Sequence, residues 1–365
     1  MSLKAGIVGL PNVGKSTLFN AITKKNILVA NYPFATIDPN VGIVTVPDQR
    51  LIKLEEIYLP EEVKPATYEF VDIAGIVQGA SLGEGLGNKF LSHIREVDAI
   101  CEVVRCFNDK EITHVEGNVD PIRDVEIINL ELALADLEIM NNRIDKIKKK
   151  AETTKDAETV MEYQTLVKCK ESLEKNIPLR LLDLTKEELF AIKSYNFLTL
   201  KPHIYLANIS EDEILTENDY VRKLREFAEK ENSKTIVISA KIESELSELN
   251  EEDKLEMIKD LGIDKSGLDK LVEATYHLLG LKTYFTCGPQ EVKAWTYKDG
   301  MNAKECAGII HSDFEKGFIK AEVISYEDLI NAGNELKVKE QGKLRIEGKE
   351  YLMQDGDICH FRFNL

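Results

Sequence analysis

The sequence has no Cys-x-x-C pair and no apolar run that approaches the length of a membrane span. Its 6 cysteines are scattered over 365 residues, so neither a disulfide scaffold nor a cysteine-ligated zinc site is expected. A spanning helix needs roughly 18 consecutive apolar residues. The N-terminal residues enter a strand directly, without the apolar segment and cleavage site of a secretory signal. We therefore expect a cytoplasmic protein with reduced thiols and no membrane partner.

Positive charge is also scarce. The chain has 47 basic and 64 acidic residues, a net charge of −17, which excludes a uniformly basic nucleic-acid coat, and no DNA partner is expected. The charge is uneven, because residues 281–365 contain 12 basic and 14 acidic residues and so carry only −2 of that total. At about 150 residues per domain, the length indicates two or three domains.

The first 120 residues alternate short apolar runs with polar turns that contain glycine. Buried strands are predicted at Ala5–Leu10, Ala66–Ile73 and Ala99–Phe107, and helices near Lys15–Thr23 and Gly87–Val97. Strands that alternate with helices favour βαβ units and a parallel sheet with helices on both faces. The predicted fold class is therefore α/β.

The pattern changes at Asp124, where a stretch without glycine or proline begins and continues to Lys150. A second helical stretch is predicted at Glu158–Asn176. Two helices with a short polar connection predict an antiparallel helical hairpin inserted into the sheet domain, and the alternative is two amphipathic helices that lie on the main core. Apolar residues at heptad spacing mark the predicted seam of the first helix: Leu130, Ala133, Leu137, Met140, Ile144 and Ile147.

After Pro178 the α/β alternation resumes, with predicted strands at His203–Ala207 and Thr235–Ile238 and a helix capped by Thr216. From Leu281 the chain is rich in strands and has one predicted helix, typical of a compact α+β domain. The predicted domains are a sheet domain (1–123 and 178–280), a hairpin (124–177) and the α+β domain (281–365).

The strongest motif is Gly-Leu-Pro-Asn-Val-Gly-Lys-Ser at 9–16, between a predicted strand and a predicted helix. The motif predicts a phosphate-binding loop whose backbone N–H groups hold an anion at the helix N-terminus. Lys15 is expected to reach the β- and γ-phosphates, and the Ser16 hydroxyl to ligate Mg²⁺. Asn12 has two interpretations, a ligand for K⁺ near the phosphates or a residue that stabilises the turn. The predicted phosphate-binding residues are Asn12, Val13, Gly14, Lys15, Ser16 and Thr17.

A second motif, Asp72-Ile-Ala-Gly75, ends an apolar strand. Asp72 is expected in the Mg²⁺ shell, and the Gly75 amide is expected to meet the γ-phosphate. Thr36 lies between the helix that follows the glycine loop and the next strand. In this motif order it is a good candidate for a third Mg²⁺ ligand that belongs to a switch, and an ordinary loop threonine is the competing interpretation. The glycine-rich run 79–87 predicts a second switch.

The predicted base pocket departs from the guanine-reading Asn-Lys-x-Asp. The strand ends in Asn208-Ile209-Ser210-Glu211, and the longer Glu211 carboxylate is expected to crowd guanine. Asn208 is expected to bond the purine edge, and Ile209 to offer an apolar face to the base. The last loop on the base side is assigned to Ser239 and Ala240. These residues favour adenine over guanine, although a Glu rotamer can compensate.

The glutamine that positions water in Ras-like enzymes is replaced by Ile76. His114, in the loop 108–117, is the alternative candidate, because a neutral imidazole can orient or deprotonate water. A purely structural loop histidine is the competing interpretation.

These motifs, in this order, resemble the YchF/Obg-like ATPase family of P-loop proteins along the whole chain. Further marks of the family are Arg-Cys-Phe at 105–107, Thr-His-Val-Glu-Gly at 113–117 and Asp-Gly-Asp-Ile-Cys-His-Phe-Arg-Phe-Asn at 355–364. The resemblance implies a G domain, a helical hairpin and a C-terminal TGS domain of the β-grasp type. It also implies a preference for ATP, slow Mg²⁺-dependent hydrolysis, K⁺ assistance through Asn12, and association with ribosomes.

The resulting hypothesis is a ribosome-associated molecular switch that binds ATP and slowly hydrolyses it. The alternatives are a GTPase of the same architecture and a nucleotide-dependent binding module that does not hydrolyse. Four lysines near the hairpin tip could contact ribosomal RNA, or they could form a solvated helix end. They are Lys146, Lys148, Lys149 and Lys150.

Overall fold

The computed structural model describes residues 3–25, 40–73, 86–115, 117–153 and 156–364. Within these ranges the chain folds into strands and helices that alternate up to residue 278, and into a strand-rich C-terminal part. The six cysteines all lie in the described ranges and are free thiols. No helix in these ranges is long and apolar enough to cross a membrane.

The strands and helices are numbered here along the chain. The strands are β1 (Lys4–Val8), β2 (Val41–Thr45), β3 (Glu62–Lys64), β4 (Thr67–Asp72), β5 (Ala99–Arg105), β6 (His203–Asn208), β7 (Lys234–Ile238), β8 (Leu281–Cys287), β9 (Glu291–Lys298), β10 (Phe318–Ser325), β11 (Arg345–Glu347) and β12 (Asp357–Phe363). The α-helices are α1 (Lys15–Lys25), α2 (Gln49–Tyr58), α3 (Leu86–Glu96), α4 (Pro121–Thr153), α5 (Ala157–Leu173), α6 (Lys186–Ile192), α7 (Asp219–Lys230), α8 (Ala240–Leu246), α9 (Glu251–Asp260), α10 (Gly267–Leu278), α11 (Ala303–Ile310), α12 (Ser312–Lys316), α13 (Tyr326–Ala332) and α14 (Glu335–Glu340).

The first sheet has the strand order β2-β4-β1-β5-β6-β7 in the described part of the chain. The pairings from β4 through β7 are all parallel. Every residue of β5 and of β6 is buried, which requires cover on both faces of the sheet. The predicted α/β class with a parallel sheet is therefore confirmed. The cap of α7 was predicted wrongly, because the Asn218 side chain, not that of Thr216, accepts the hydrogen bond from the Val221 N–H.

The helical hairpin is formed by α4 and α5. The ion pair of Arg143 with Glu162 lies far from the connection and that of Lys150 with Asp156 lies near it, so the two helices run antiparallel. Leu130, the first residue of the predicted seam, is 48% exposed and is not part of the hairpin core. The hairpin core contains Met140, Ile144 and Ile147 from α4, and Leu166, Cys169 and Leu173 from α5.

A buried carboxylate anchors α4 to the segment that returns to the sheet. Asp136 is fully buried and accepts hydrogen bonds from the backbone N–H groups of Leu198 (3.0 Å) and Thr199 (2.8 Å) and from the Thr199 hydroxyl (2.8 Å). Burial raises the pKa of this carboxyl, and the three hydrogen bonds and nearby Arg95 oppose the shift. The hairpin is thus fixed at its base by paired polar groups and not only by apolar packing.

The second sheet has the order β11-β10-β12-β8-β9-β3 among the described strands. It is mixed, because β3 pairs parallel with β9 and β12 pairs parallel with β8, whereas the other pairings are antiparallel. This confirms the α+β class of the C-terminal part. The predicted single helix at 302–316 is divided into α11 and α12, because His311 leaves the helical conformation and caps the second helix.

Contacts divide the chain into one unit of residues 1–42 and 69–270 and a second of residues 43–68 and 271–365. The excursion 43–68 therefore belongs with the C-terminal residues, unlike in the predicted boundaries. Arg50 of α2 shows why. Its guanidinium bonds Asp48 (2.7 Å) and Asp355 (2.8 Å) and lies over the ring of Phe285.

A buried ionisable pair lies at the centre of the first sheet. The Glu102 carboxyl on β5 lies 2.9 Å from His203 Nε2 on β6, and both residues are essentially inaccessible to solvent. Burial raises the pKa of Glu102 well above its usual range and lowers the pKa of His203 well below its own. Burial of both groups therefore favours their neutral forms, in which the Glu102 O–H donates to the imidazole.

This pair predicts a pH-dependent stability. Above about pH 4.3 the unfolded chain loses the Glu102 proton, whereas the folded chain keeps it to a higher pH. The contribution of Glu102 to the free energy of unfolding is thus largest at low pH. It decreases as pH rises, by up to about 1.4 kcal/mol per pH unit. Glu102→Gln has no such proton, and its amide can still donate to His203. We expect the stability advantage of the wild type over E102Q to shrink as pH rises from about 5 to about 8. Urea unfolding at several pH values measures it, and a constant difference would contradict the neutral pair.

Candidate nucleotide-binding site

The glycine loop connects the end of β1 to the start of α1. Its two glycines are required because neighbouring atoms lie too close to leave room for a Cβ. A Cβ on Gly9 would lie 2.8 Å from the Val103 carbonyl oxygen. Gly14 has φ of +96°, and a side chain there would collide with the Asn208 amide. The first hydrogen bond of α1 runs from the Leu18 N–H to the Gly14 carbonyl (3.0 Å). The loop backbone therefore wraps the N-terminus of a helix, as the motif predicts.

The charged groups predicted for the phosphate end lie together. Lys15 Nζ contacts the Asp72 carboxylate, which comes from the end of β4, the strand next to β1. The Lys15 side chain is 10% exposed and that of Asp72 is 23% exposed. Ser16 and Thr17 are exposed in the first turn of α1. A cation, a carboxylate and two hydroxyls thus meet at one helix N-terminus.

The oxygen donors at this end suit a hard cation. The Ser16 hydroxyl and the Asp72 carboxylate are the kind of ligands that Mg²⁺ uses together with substrate phosphates and water. Across the described ranges there is no cluster of three or more histidine, cysteine, aspartate or glutamate residues that would form an all-protein metal site. The two oxygen donors, Ser16 and Asp72, are of the kind that fits a metal shared with a ligand.

Asn208 connects the glycine loop to the opposite side of the site. Its side-chain N–H donates to the Val13 carbonyl (2.8 Å), and its side-chain oxygen accepts from the Ala240 N–H (2.9 Å). The residue is 3% exposed, and Val13 and Ala240 are also buried. Of the predicted site residues, these three are brought together directly, and Asn208 acts first as a brace for the loop backbone.

The other residues predicted for the base side differ in burial and in contacts. Ile209 is 2% exposed and packs into a core cluster with Val104 and Val221, so it offers no exposed apolar face. Ser239 is buried, and its hydroxyl has no hydrogen-bond partner within the described residues. Glu211 is partly exposed, and one of its oxygens, Oε1, lies 2.7 Å from Lys241 Nζ.

Lys241 was not predicted. It lies in the first turn of α8, directly after Ala240, and the hydrogen bond that its ammonium donates to Glu211 raises its pKa. The available signal was its position next to the Ser239-Ala240 pair, since a residue in that turn lies close to the end of β6.

Arg105 is a second residue that sequence reasoning missed. It ends β5, is 1% exposed, and donates to three carbonyl oxygens of the following loop, those of Phe107, Asp109 and Ile112. Burial lowers the pKa of this guanidinium. The sequence indicates this role only through a basic residue at the end of a fully buried strand, because a buried guanidinium needs several hydrogen-bond acceptors. Arg105 therefore shapes the loop that contains His114.

That loop contacts the glycine loop. The Asn12 side-chain N–H donates to the Thr113 carbonyl (3.2 Å), and Asn12 has φ of +64°. The amide nitrogen of Asn12 is therefore used to connect two loops, which matches the interpretation as a stabilising residue; the expected K⁺ contact through its oxygen stays a prediction. His114 follows Thr113, is 6% exposed, and its Nε2 lies 2.8 Å from the Asp124 carboxylate.

Several predicted site residues lie outside the described residues. They are Thr36, Gly75, Ile76 and most of the glycine-rich run 79–87. The assignments made for them stay predictions.

The glycine loop lies between a parallel strand and a helix. The lysine begins that helix, and the aspartate ends the adjacent strand. This arrangement defines a P-loop nucleotide-binding protein of the GTPase type. Residues 4–132 match the family model MMR_HSR1, described as 50S ribosome-binding GTPase. Residues 281–364 match YchF-GTPase_C, described as a protein of unknown function.

Full-length relatives agree. The chain is 59% identical to the ribosome-binding ATPase YchF of Bacillus subtilis and 54% identical to that of Haemophilus influenzae, with 100% of each chain covered. The solved structure of the Schizosaccharomyces pombe YchF GTPase superposes with a TM-score of 0.91 at 43% identity, over 99% of this chain and 98% of that one. The chain belongs to the YchF family, and the resemblance predicted from the motifs is confirmed.

Proposed function

We propose that this protein is a ribosome-associated molecular switch that binds ATP and slowly hydrolyses it to ADP and phosphate. The observation that carries the proposal is the meeting of Lys15, Asp72 and the exposed Ser16 at the N-terminus of α1. The names of the full-length relatives, ribosome-binding ATPases, support both the nucleotide and the partner.

The phosphate groups are held by the backbone N–H groups of residues 12–17 at the helix N-terminus, where the helix dipole favours anions. Lys15, now paired with Asp72, would exchange that carboxylate for the β- and γ-phosphates. Ser16 and Asp72, with Thr36 as the third predicted ligand, would hold Mg²⁺. When bound, Mg²⁺ neutralises charge that develops on the phosphate oxygens.

The base end supports adenine over guanine through the Glu211–Lys241 pair. Guanine presents two adjacent donors, N1–H and N2–H, and a carboxylate reads them best with both of its oxygens. In this chain Glu211 Oε1 is held by Lys241 at 2.7 Å, which leaves Oε2 for a single donor. Adenine has one such donor, its exocyclic amine. The GTPase alternative requires that this ion pair be broken.

Competition of ATP and GTP for a fluorescent nucleotide tests the base preference. We expect ATP to bind more tightly than GTP, and we expect Lys241→Met to reduce the preference by up to about 5-fold, mainly through tighter GTP binding, because a surface ion pair is worth up to about 1 kcal/mol. Lys254→Met, a lysine in α9, is the matched control. Tight GTP binding and weak ATP binding by the wild type would contradict the proposal.

Hydrolysis needs a group that orients water, and His114 is the proposed one. Its loop contacts the glycine loop through Asn12 and Thr113 (3.2 Å), and its Nε2 faces a carboxylate (2.8 Å). A neutral imidazole can accept a proton from an attacking water. The alternative is a binding module that does not hydrolyse, suggested by the apolar Ile76.

Single-turnover release of phosphate from ATP separates these alternatives. We expect release by the wild type, at least about 100-fold slower release by His114→Ala because a general base is lost, and none by Lys15→Ala. The nucleotide affinity of H114A should stay close to that of the wild type. Runs in K⁺ and in Na⁺ test the K⁺ assistance. Wild-type release no faster than that of K15A would support the binding module.

The hairpin tip is the proposed contact with ribosomal RNA. Lys146, Lys148, Lys149 and Lys150 are all exposed in the last turns of α4. Lys150 forms a 3.5 Å ion pair with Asp156. A basic cluster binds phosphate backbones by releasing counterions.

Co-sedimentation with ribosomes at several salt concentrations tests this contact. Changing the four tip lysines to Gln should weaken binding and lower the salt dependence. Changing the exposed Lys337, Lys339, Lys343 and Lys349 to Gln, which alters the net charge equally, serves as the control. Equal losses in the two variants would argue against a tip contact.

A further inference from the structure

A groove of about 740 Å³ lies between the N-terminal half of α5 and the helix α6, beside Lys150 near the hairpin tip. The large apolar side chains on its lining are those of Met161 and Phe190, which are 37% and 79% exposed. Ile192 lies two residues after Phe190, roughly 200° around the helix, and it is buried in the hairpin core. The register of α6 therefore keeps the Phe190 ring out of that core and on the groove.

Polar contacts fix the two walls of this groove. Lys168 of α5 donates to both carboxylate oxygens of Glu188 in α6, at 3.0 Å each. Glu162, which lines the groove, accepts from the Arg143 guanidinium at 2.7 and 3.0 Å and from the Tyr195 hydroxyl. The groove is therefore formed by contacts within the chain itself, as binding pockets usually are before they are occupied.

Carboxylates outnumber ammonium groups along the groove. The acidic residues of its lining are Asp156, Glu158, Glu162 and Glu187, and the basic ones are Lys150 and Lys186. Asp156 is paired with Lys150 at 3.5 Å, and Glu162 is paired with Arg143. Within the described ranges, Glu158 and Glu187 are exposed and form no ion pair. Two exposed carboxylates thus remain beside the apolar lining, with one ammonium group, that of Lys186, on the same lining.

This combination fits a protein segment that carries lysine or arginine next to an apolar side chain. The apolar side chain would lie against the Phe190 ring and against Met161, whose flexible thioether adapts to different shapes. The basic groups would form charge-assisted hydrogen bonds with Glu158 and Glu187. The same two carboxylates repel the phosphates of RNA. The groove and the lysines of the hairpin tip therefore favour different partners.

We propose that the groove between α5 and α6 docks a basic segment of a ribosomal protein, with an apolar side chain of that segment seated against Phe190. The inference rests on the proposed association with ribosomes and names a second component of the ribosome that the hairpin contacts. The hairpin then presents lysines to RNA at its tip and carboxylates to protein beside the tip.

Co-sedimentation with purified ribosomes tests the apolar anchor. Phe190→Ser removes the ring from the groove, and we expect it to weaken ribosome binding by about 5-fold or more, since a few anchoring side chains carry most of the binding energy of an interface. Leu255→Ser on α9 is the matched control, because Leu255 is 66% exposed and lies away from the groove lining. Its affinity should stay within about 2-fold of that of the wild type. Equal losses in the two variants would overturn the inference.

Reversal of charge tests the acidic lining. Glu158→Lys combined with Glu187→Lys should weaken ribosome binding, because the groove would then repel a basic segment. Glu252→Lys combined with Glu256→Lys, two exposed residues of α9, changes the net charge by the same amount and serves as the control. Tighter binding by the groove variant, or the same change in both variants, would indicate a general attraction to RNA and overturn the inference.

Photo-crosslinking identifies the occupant directly. With p-benzoylphenylalanine in place of Phe190, irradiation in the presence of purified ribosomes should give an adduct that survives ribonuclease and is destroyed by protease. Mass spectrometry should map the adduct to a segment of a ribosomal protein that is rich in lysine and arginine. An adduct with ribosomal RNA or with a second copy of this chain, or no adduct although the wild type co-sediments, would overturn the inference. Absence of co-sedimentation by the wild type would instead remove the proposed association with ribosomes itself.

Discussion

The geometry of the site depends on one buried amide. Asn208 ends β6 and holds the carbonyl of Val13 on one side and the N–H of Ala240 on the other, at 2.8 and 2.9 Å. A side chain with both a donor and an acceptor can make these two contacts at once, whereas an aspartate could not donate to Val13. Gly14 has room only because it has no Cβ. The glycine loop, the β6 end and the start of α8 are thus one polar assembly, and the phosphate and base ends of the site are held in register by it.

Motif spacing accounts for the parts of this arrangement where the chemistry is local. The glycine loop, the Lys15–Asp72 meeting and the Asn208–Ala240 proximity all follow from motifs whose spacing places them at the ends of neighbouring parallel strands. The alternation of strands and helices likewise predicted the class of both sheets. Ile209 was misjudged, since a residue after a strand can turn inward as easily as toward a ligand, and only packing decides.

What could not be predicted rests on contacts between distant segments. Arg105 is a separate case, because its partners are backbone carbonyls of the next loop and the sequence indicates only that a basic residue ends a buried strand. Strand β3 has three residues, and nothing in Glu62–Lys64 indicates that its partner is Glu291–Lys293. Leu130 fits the heptad spacing but lies before the two hairpin helices meet, so periodicity alone placed the seam too early.

The pairing of β3 with β9 has a consequence for synthesis of the chain. Residues 62–64 leave the ribosome more than two hundred residues before their partners at 291–293. Until residues 291–293 have been synthesised, β3 has no partner strand, and the apolar side chains of α2 and β3 stay exposed or are covered by other parts of the chain. A contact of such long sequence separation slows folding. The first sheet can form while translation continues, but the second can close only after the C-terminal residues have emerged, so premature termination after β7 leaves an unfinished segment in the middle of an otherwise foldable domain.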